Sequence, residues 1–174
     1  MADLDPRFAQ IVGRSVSPEE YAEVRDQWLA HVTNEEKLFV PHTEAEGKAA
    51  LDAALESFID DCEMELVFVS ERWTGKDGAR KFYAEFLAAF EGMQWVPQAL
   101  VVGPQGVLDV VNMTATLRQP FAGFTDVGQP VRQEWVILFP WVPSARKFAG
   151  EIVYAIRSLA EHESVTIPDW RRLG

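Results

Sequence analysis

Cysteine is almost absent from this chain of 174 residues. The single Cys62 excludes an intramolecular disulfide and fits a reducing compartment. Long apolar runs are missing as well: none approaches the roughly 20 residues that cross a bilayer. The opening MADLDPRF has neither the basic nor the apolar region of a secretory signal. A cytoplasmic protein with no membrane partner is expected. Positive charge is scarce, with 16 Lys and Arg against 27 Asp and Glu and a net charge of −11. That balance repels phosphate backbones and anionic lipid. No basic cluster exceeds Arg171–Arg172, so no nucleic-acid partner is expected either. The three histidines, His31, His42 and His162, share no metal-ligand spacing with one another or with Cys62. There is no G-x-S-x-G, no phosphate-binding glycine loop and no dinucleotide fingerprint. GPQG at 103–106 is a turn, and TGKDG at 74–78 lacks the spacing of a P-loop. The expectation is no metal and no other cofactor.

What the chain does contain is an ordinary globular composition, 48% hydrophobic and 25% charged, with no low-complexity tract. A chain of this length suits a single domain over 1–174, with a loose arm at 1–14 and a tail at 160–174. Ser17-Pro18-Glu19-Glu20 opens a helix with a hydroxyl cap, a first-turn proline and a glutamate three after the cap. It is predicted to reach about His31, with Tyr21, Val24, Trp28 and His31 along one side, and Thr33–His42, holding LFVP, is read as irregular because Pro41 argues against a continuous helix there. Thr43 and Glu46 cap a second helix, predicted to about Ile59, whose buried stripe is Ala50, Leu51, Ala54, Leu55 and Phe58. An apolar strand over Cys62–Ser70 follows an acidic helix end at Phe58–Asp61. A third helix opens at Thr74 and presents Ala79, Phe82, Tyr83, Phe86 and Phe90 as a wide aromatic face. Strands are predicted over Gln94–Val102, Val107–Leu117, Val131–Phe139 and Lys147–Leu159, with Gln119–Gln129 a loop. Helices first and antiparallel strands after make an α+β domain.

The stretch from Phe58 to Phe90 also carries a likeness. F-x-D-D before a strand, then T-G-x-x-G-x-x-x-F-Y at 74–83, are followed in order by GPQGVLDVVNMTATL, FAGFTDVGQPV and WVILFP…RKFAGEIVY. Together they resemble the SnoaL-like polyketide cyclases and the ketosteroid isomerases of the nuclear-transport-factor-2-like superfamily, from about residue 20 to about residue 160. The resemblance implies a cone-like curved antiparallel sheet covered by three helices and enclosing an apolar pocket. It also implies a homodimer through the sheet and cofactor-independent proton transfer on an apolar carbonyl or polyketide-like substrate. The isomerases use an aspartate base, a tyrosine and a protonated aspartate. Those positions map to Leu66, to near Trp28 and to near Trp135, so steroid-type isomerisation is not implied. In the cyclases the acid/base lies just after the tyrosine of G-E-x-x-Y, which here is Ala155 or Ile156. The container is kept while the usual proton carriers are replaced.

The replacements have competing readings. His31 is the candidate base, or a helix-end histidine bound to the last carbonyls. Tyr154, on a face with Ile152 and Ile156, is the second catalytic candidate, or a buried tyrosine with a structural hydrogen bond. Trp28, Met64, Leu66, Phe68, Tyr83 and Trp135 are the expected pocket walls. Asn112, Thr114, Thr116 and Arg118 alternate along one strand face and either orient a ligand in the pocket or meet solvent. Asp60 and Asp61 edge the pocket mouth or are solvated turn residues, and Glu63 and Glu65 suit a surface or dimer face. Three functions remain: a cyclase-, isomerase- or hydrolase-type enzyme acting on a small hydrophobic molecule, a non-catalytic binder of such a molecule, and an interaction protein.

Overall fold

A computed structural model describes residues 16–40, 43–163 and 165–166. The expected arm at 1–14, the breaker Pro41, His42 and the end of the tail with Arg171–Arg172 lie outside the described residues. The first helix, α1 (Pro18–Phe39), starts as its sequence demands, with the Ser17 hydroxyl accepting from the Glu20 N–H at 3.2 Å. It runs past His31 to Phe39, which corrects the expected break. Val24, Trp28, His31 and Leu38 are all buried on it, so the apolar stripe continues at helical spacing through the segment read as irregular.

The second helix, α2 (Glu44–Glu56), opens on a complete capping box between Thr43 and Glu46. It stops at Glu56 because the Phe148 N–H bonds to the Ser57 carbonyl and Phe58 already pairs with Phe148 in the sheet. Phe58–Asp61 is therefore strand, not helix end. Strand β1 (Phe58–Leu66) leads into a 3-10 turn at Val67–Val69, and β2 (Glu71–Thr74) returns antiparallel to it. Thr74 occupies the cap position of α3 (Gly75–Ala89), although its hydroxyl caps nothing. Ala79, Phe82, Tyr83 and Phe86 are buried on this helix, as its aromatic spacing requires. The remaining strands are β3 (Phe90–Gly103), β4 (Gly106–Leu117), β5 (Pro130–Val142) and β6 (Lys147–Ser158).

Among the described residues, three helices thus accompany a six-stranded curved sheet in the order β2-β1-β6-β5-β4-β3, an α+β fold. The sheet is mixed rather than wholly antiparallel, since β1 and β6 run parallel. The cause is the crossover through α3: it starts the β3–β6 meander at the far edge, and the fourth strand of that meander comes back beside β1 in the same direction. Gly150 makes this junction possible. At φ 124° a Cβ there would lie 2.0 Å from the Glu63 carbonyl oxygen, a position only glycine tolerates.

Register shifts in the β5–β6 ladder fall between Val136 and Ile137 and between Leu138 and Trp141. Each inserts a residue and exchanges the faces of β6. Phe148, Glu151 and Val153 are buried, whereas Tyr154 is 49% exposed. On β4 the alternation is regular, so Val107, Asp109, Val111, Met113, Ala115 and Leu117 point inward. The row containing Asn112, Thr114, Thr116 and Arg118 takes the other face. There the chain after β6 folds back, with Leu159 N–H on the Arg132 carbonyl and the Arg132 guanidinium on the Glu163 carbonyl.

Candidate functional site

Between α1, α3 and the inner faces of β3–β6 lies a cavity of about 410 Å³. Its walls follow from the patterns above. Helix α1 contributes Trp28, Val32, Glu35 and Phe39 at spacings of three and four, and α3 contributes Phe82, Tyr83 and Phe86. The sheet adds Trp95, Asp109, Val111, Trp135, Phe139, Glu151 and Val153. The surface is aromatic and aliphatic apart from its carboxylates, and no Lys or Arg belongs to it among the described residues. The buried indole N–H groups of Trp28, Trp95 and Trp135 have no protein partner there, an unusual state for buried donors.

One wall holds a closed polar ring. His31 is 1% exposed, wedged against Phe58 and Phe139 with ring centroids 4.8 and 5.4 Å away. Its Nδ1 lies 3.2 Å from the Ala54 carbonyl oxygen and 2.9 Å from Ser57 Oγ. Its Nε2 lies 3.5 Å from Glu35 Oε2 and 3.4 Å from Glu151 Oε1. Tyr83 completes the ring, its hydroxyl within hydrogen-bonding reach of Glu35 Oε1 at 2.6 Å and of Glu151 Oε1. Burial works against a charged imidazole, yet Glu35 and Glu151 outweigh it and push the His31 pKa up to about 10. Burial and the same two carboxylates hold the Tyr83 phenol well above its ordinary range, so it stays a donor. Glu151 is raised by burial and by Glu35, against the pull of His31 and Tyr83.

Asp109 stands apart from that ring in the same cavity. It is 8% exposed, and its Oδ1 has no hydrogen-bond partner among the described residues. Burial first, then Glu35 and Glu151, raise its pKa to about 7. A buried carboxylate whose Oδ1 has no partner among the described residues, poised to titrate near neutrality inside an apolar wall, is equipped to take up and release a proton.

Of the residues singled out from sequence, Trp28, Tyr83 and Trp135 line this cavity. His31 sits behind it, joined through Glu35 and Glu151, and is neither exposed nor at a helix end. Tyr154 is corrected: the β6 bulges turn it to the outside. Met64 and Leu66 are closed into the core at 1% and 0% exposure without reaching the cavity. Phe68 leaves the sheet in the 3-10 turn and is 38% exposed. Asn112 and Thr114 point away from the cavity. Asp60 and Asp61 are exposed strand residues, and Glu63 and Glu65 pair with Arg72 of β2 on the surface.

Glu35, Asp109 and Glu151 were missed. Signals for them existed. Asp109 is the one acid on the apolar face of VLDVV, Glu35 follows His31 by one helical turn, and Glu151 is the acid of G-E-x-x-Y itself.

No functionally curated protein matches the chain. Solved structures do. One described as a SnoaL-like polyketide cyclase, from Jannaschia sp. CCS1, is 19% identical over 81% of this chain and 90% of its own, with a TM-score of 0.58. Another, described as a polyketide cyclase from Xanthomonas campestris pv. campestris, is 14% identical over 78% and 92%, at 0.59. A third, described as a hydroxylase from Streptomyces galilaeus, is 18% identical over 79% and 80%, at 0.53. At these identities they establish the shared fold. The profile of the SnoaL-like domain matches residues 39–142, more than half of the sequence, from the end of α1 to the end of β5. The chain belongs to the SnoaL-like domain family.

Proposed function

We propose that this protein is an enzyme that moves a proton on a small, apolar, carbonyl-bearing substrate, with Asp109 as the acid/base. The observation that carries the reading is the buried Asp109 carboxylate, whose Oδ1 has no partner among the described residues, in an aromatic cavity of about 410 Å³. A site of that size and lining suits a hydrophobic ring system. Near its pKa of about 7 both protonation states are populated, which is the condition for efficient general acid–base catalysis. The indole N–H groups of Trp28, Trp95 and Trp135 supply unspent donors in the same walls, available to an oxygen on which charge develops. Similarity to proteins described as polyketide cyclases supports this class of substrate. His31, behind the wall, acts through the carboxylates it holds, and Tyr83 holds the same carboxylates from within the cavity lining.

The test is hydrogen–deuterium exchange at the α-carbon of a panel of cavity-sized aryl ketones and polyketide-like ring precursors, followed by NMR in deuterated buffer. The wild-type chain is expected to accelerate exchange or ring closure for a member of the panel. Asp109→Asn is expected to lower that rate by about 10²- to 10⁴-fold with binding of the same compound retained. An unchanged rate in Asp109→Asn removes the assignment. A second reading, a non-catalytic binder, draws on Leu66, Trp135 and Ile156 standing where the resembled enzymes place acids. A ligand that occupies the cavity and shows no exchange at any position selects it.

A further inference from the structure

We propose that His31, Glu35 and Glu151 form a binding site for a divalent metal ion in the cavity wall. The argument starts from the imidazole tautomer. Ser57 Oγ donates to the Ala54 carbonyl oxygen at 2.6 Å, so its single proton is committed. His31 Nδ1 then faces two acceptors, that carbonyl and the serine oxygen, and must carry a hydrogen. Nε2 is left pointing at two carboxylates. A neutral ring would aim a lone pair at two anions, so a cation belongs at that point.

Two cations compete for it, a proton and a metal ion, and distance separates them. A charged N–H bonded to a carboxylate closes to about 2.7–2.9 Å. The separations here are 3.5 and 3.4 Å, and Nε2 makes no hydrogen bond of acceptable geometry. Donors bound at about 2.0–2.1 Å around a tetrahedral ion lie roughly 3.4 Å apart, which is the spacing observed. All three ligand atoms fall within 4.8 Å of one another.

The surroundings fit as well. A metal-bound histidine commonly donates its other N–H to a carbonyl, and ligating carboxylates are themselves hydrogen-bonded. Ala54 and Ser57 fill the first role, and Tyr83 the second. His31 and Glu35 are one turn apart on α1 while Glu151 is fixed on β6. The two carboxylates line the cavity, so the remaining coordination positions open towards a ligand. One imidazole and two carboxylates suit zinc or a neighbouring first-row ion. The ion would sit in the same cavity as Asp109, as a Lewis acid for a carbonyl oxygen. In that last respect the proposal extends the preceding reading, whereas metal binding itself does not depend on it.

The full chain, stripped with a chelator and dialysed, is titrated with Zn²⁺ by calorimetry and with Co²⁺ by visible absorption. One equivalent of metal bound with micromolar or tighter affinity is expected, with the intense d–d bands of tetrahedral cobalt. Glu151→Gln and His31→Gln are each expected to weaken binding at least 100-fold, the folded state of each being checked by circular dichroism. Glu151→Gln keeps shape and a Tyr83 partner, so it serves should His31→Gln fail to fold. Absence of binding at 100-fold excess metal overturns the proposal, as does binding that Glu151→Gln leaves unchanged, and then the cation at Nε2 is a proton. Exchange catalysis by the stripped protein, sensitive to Asp109→Asn, would show that the proton-transfer reading survives such a failure.

Discussion

Glu151 and Asp109 are two buried acids in one cavity with opposite settings. Glu151 has His31, Tyr83 and Glu35 about it, whereas Asp109 Oδ1 has no partner among the described residues. The first arrangement fixes a side chain in place, because each member removes the desolvation cost of the next. The second leaves a side chain dependent on what enters the cavity. Pairs of carboxylates held in unlike environments are how one site separates a fixed charge from a mobile proton. Breaking either arrangement should have a characteristic consequence, and the largest belongs to the ring.

His31→Leu keeps approximate volume and removes the group opposite Glu35 and Glu151. Stripping one partner from a buried ionic cluster leaves uncompensated charge, an effect of about 3–5 kcal/mol. Chemical denaturation of the metal-free variant at neutral pH should show a loss of that order against the wild type. A loss below about 1 kcal/mol would mean that the ring does not hold these carboxylates, and the contrast with Asp109 would collapse.

Asp109→Asn should act in the other direction. The native pKa of about 7 lies above the ordinary carboxylate value. Between roughly pH 4 and pH 7 the folded chain therefore binds a proton that the unfolded chain releases, and stability falls as pH rises through that window. The loss is complete above the native pKa and is on the order of 4 kcal/mol. Glu35 and Glu151 act on Asp109 in the same sense as burial, and no Lys or Arg lines the cavity among the described residues to oppose them. The asparagine variant should lack this slope and be the more stable protein at pH 8. Parallel stability–pH curves for the two chains would show that Asp109 reaches solvent.

The architecture was legible in the sequence to the extent that side-chain periodicity was regular. Capping residues located α1 and α2, and the aromatic spacing of α3 gave its buried face. The alternation of β4 placed Val111 and Met113 on one side and Asn112 and Thr114 on the other, but it did not say which side enclosed space. Strand β6 was not legible, because its alternation is interrupted by register shifts that no local pattern announces. Reading it as regular put Tyr154 inward and drew attention past Glu151. The end of α1 failed for a related reason: Pro41 is a strong breaker, but the break comes after Phe39, leaving Glu35 within the helix. The ring joins α1, the Ser57 turn, α3 and β6, so its members are distant in sequence, 68 positions separating Tyr83 from Glu151 alone, a closeness that only the folded sheet creates.

Tyr154 gives the smallest expected effect and the sharpest check on the phase of β6. At 49% exposure it forms no part of the cavity wall, so Tyr154→Phe should change stability by less than about 0.5 kcal/mol. Affinity for a cavity ligand should also be unchanged, measured by quenching of the indoles of Trp28, Trp95 and Trp135. Val153→Thr, one residue earlier, serves as the matched control because Val153 is 2% exposed and lines the cavity. Its hydroxyl would enter an apolar wall, at about 1–3 kcal/mol where no partner is found. If Tyr154→Phe altered ligand affinity while Val153→Thr did not, the strand would be in the opposite phase. Glu151 would then face away from His31, and the paired and unpaired acids would not share a cavity at all.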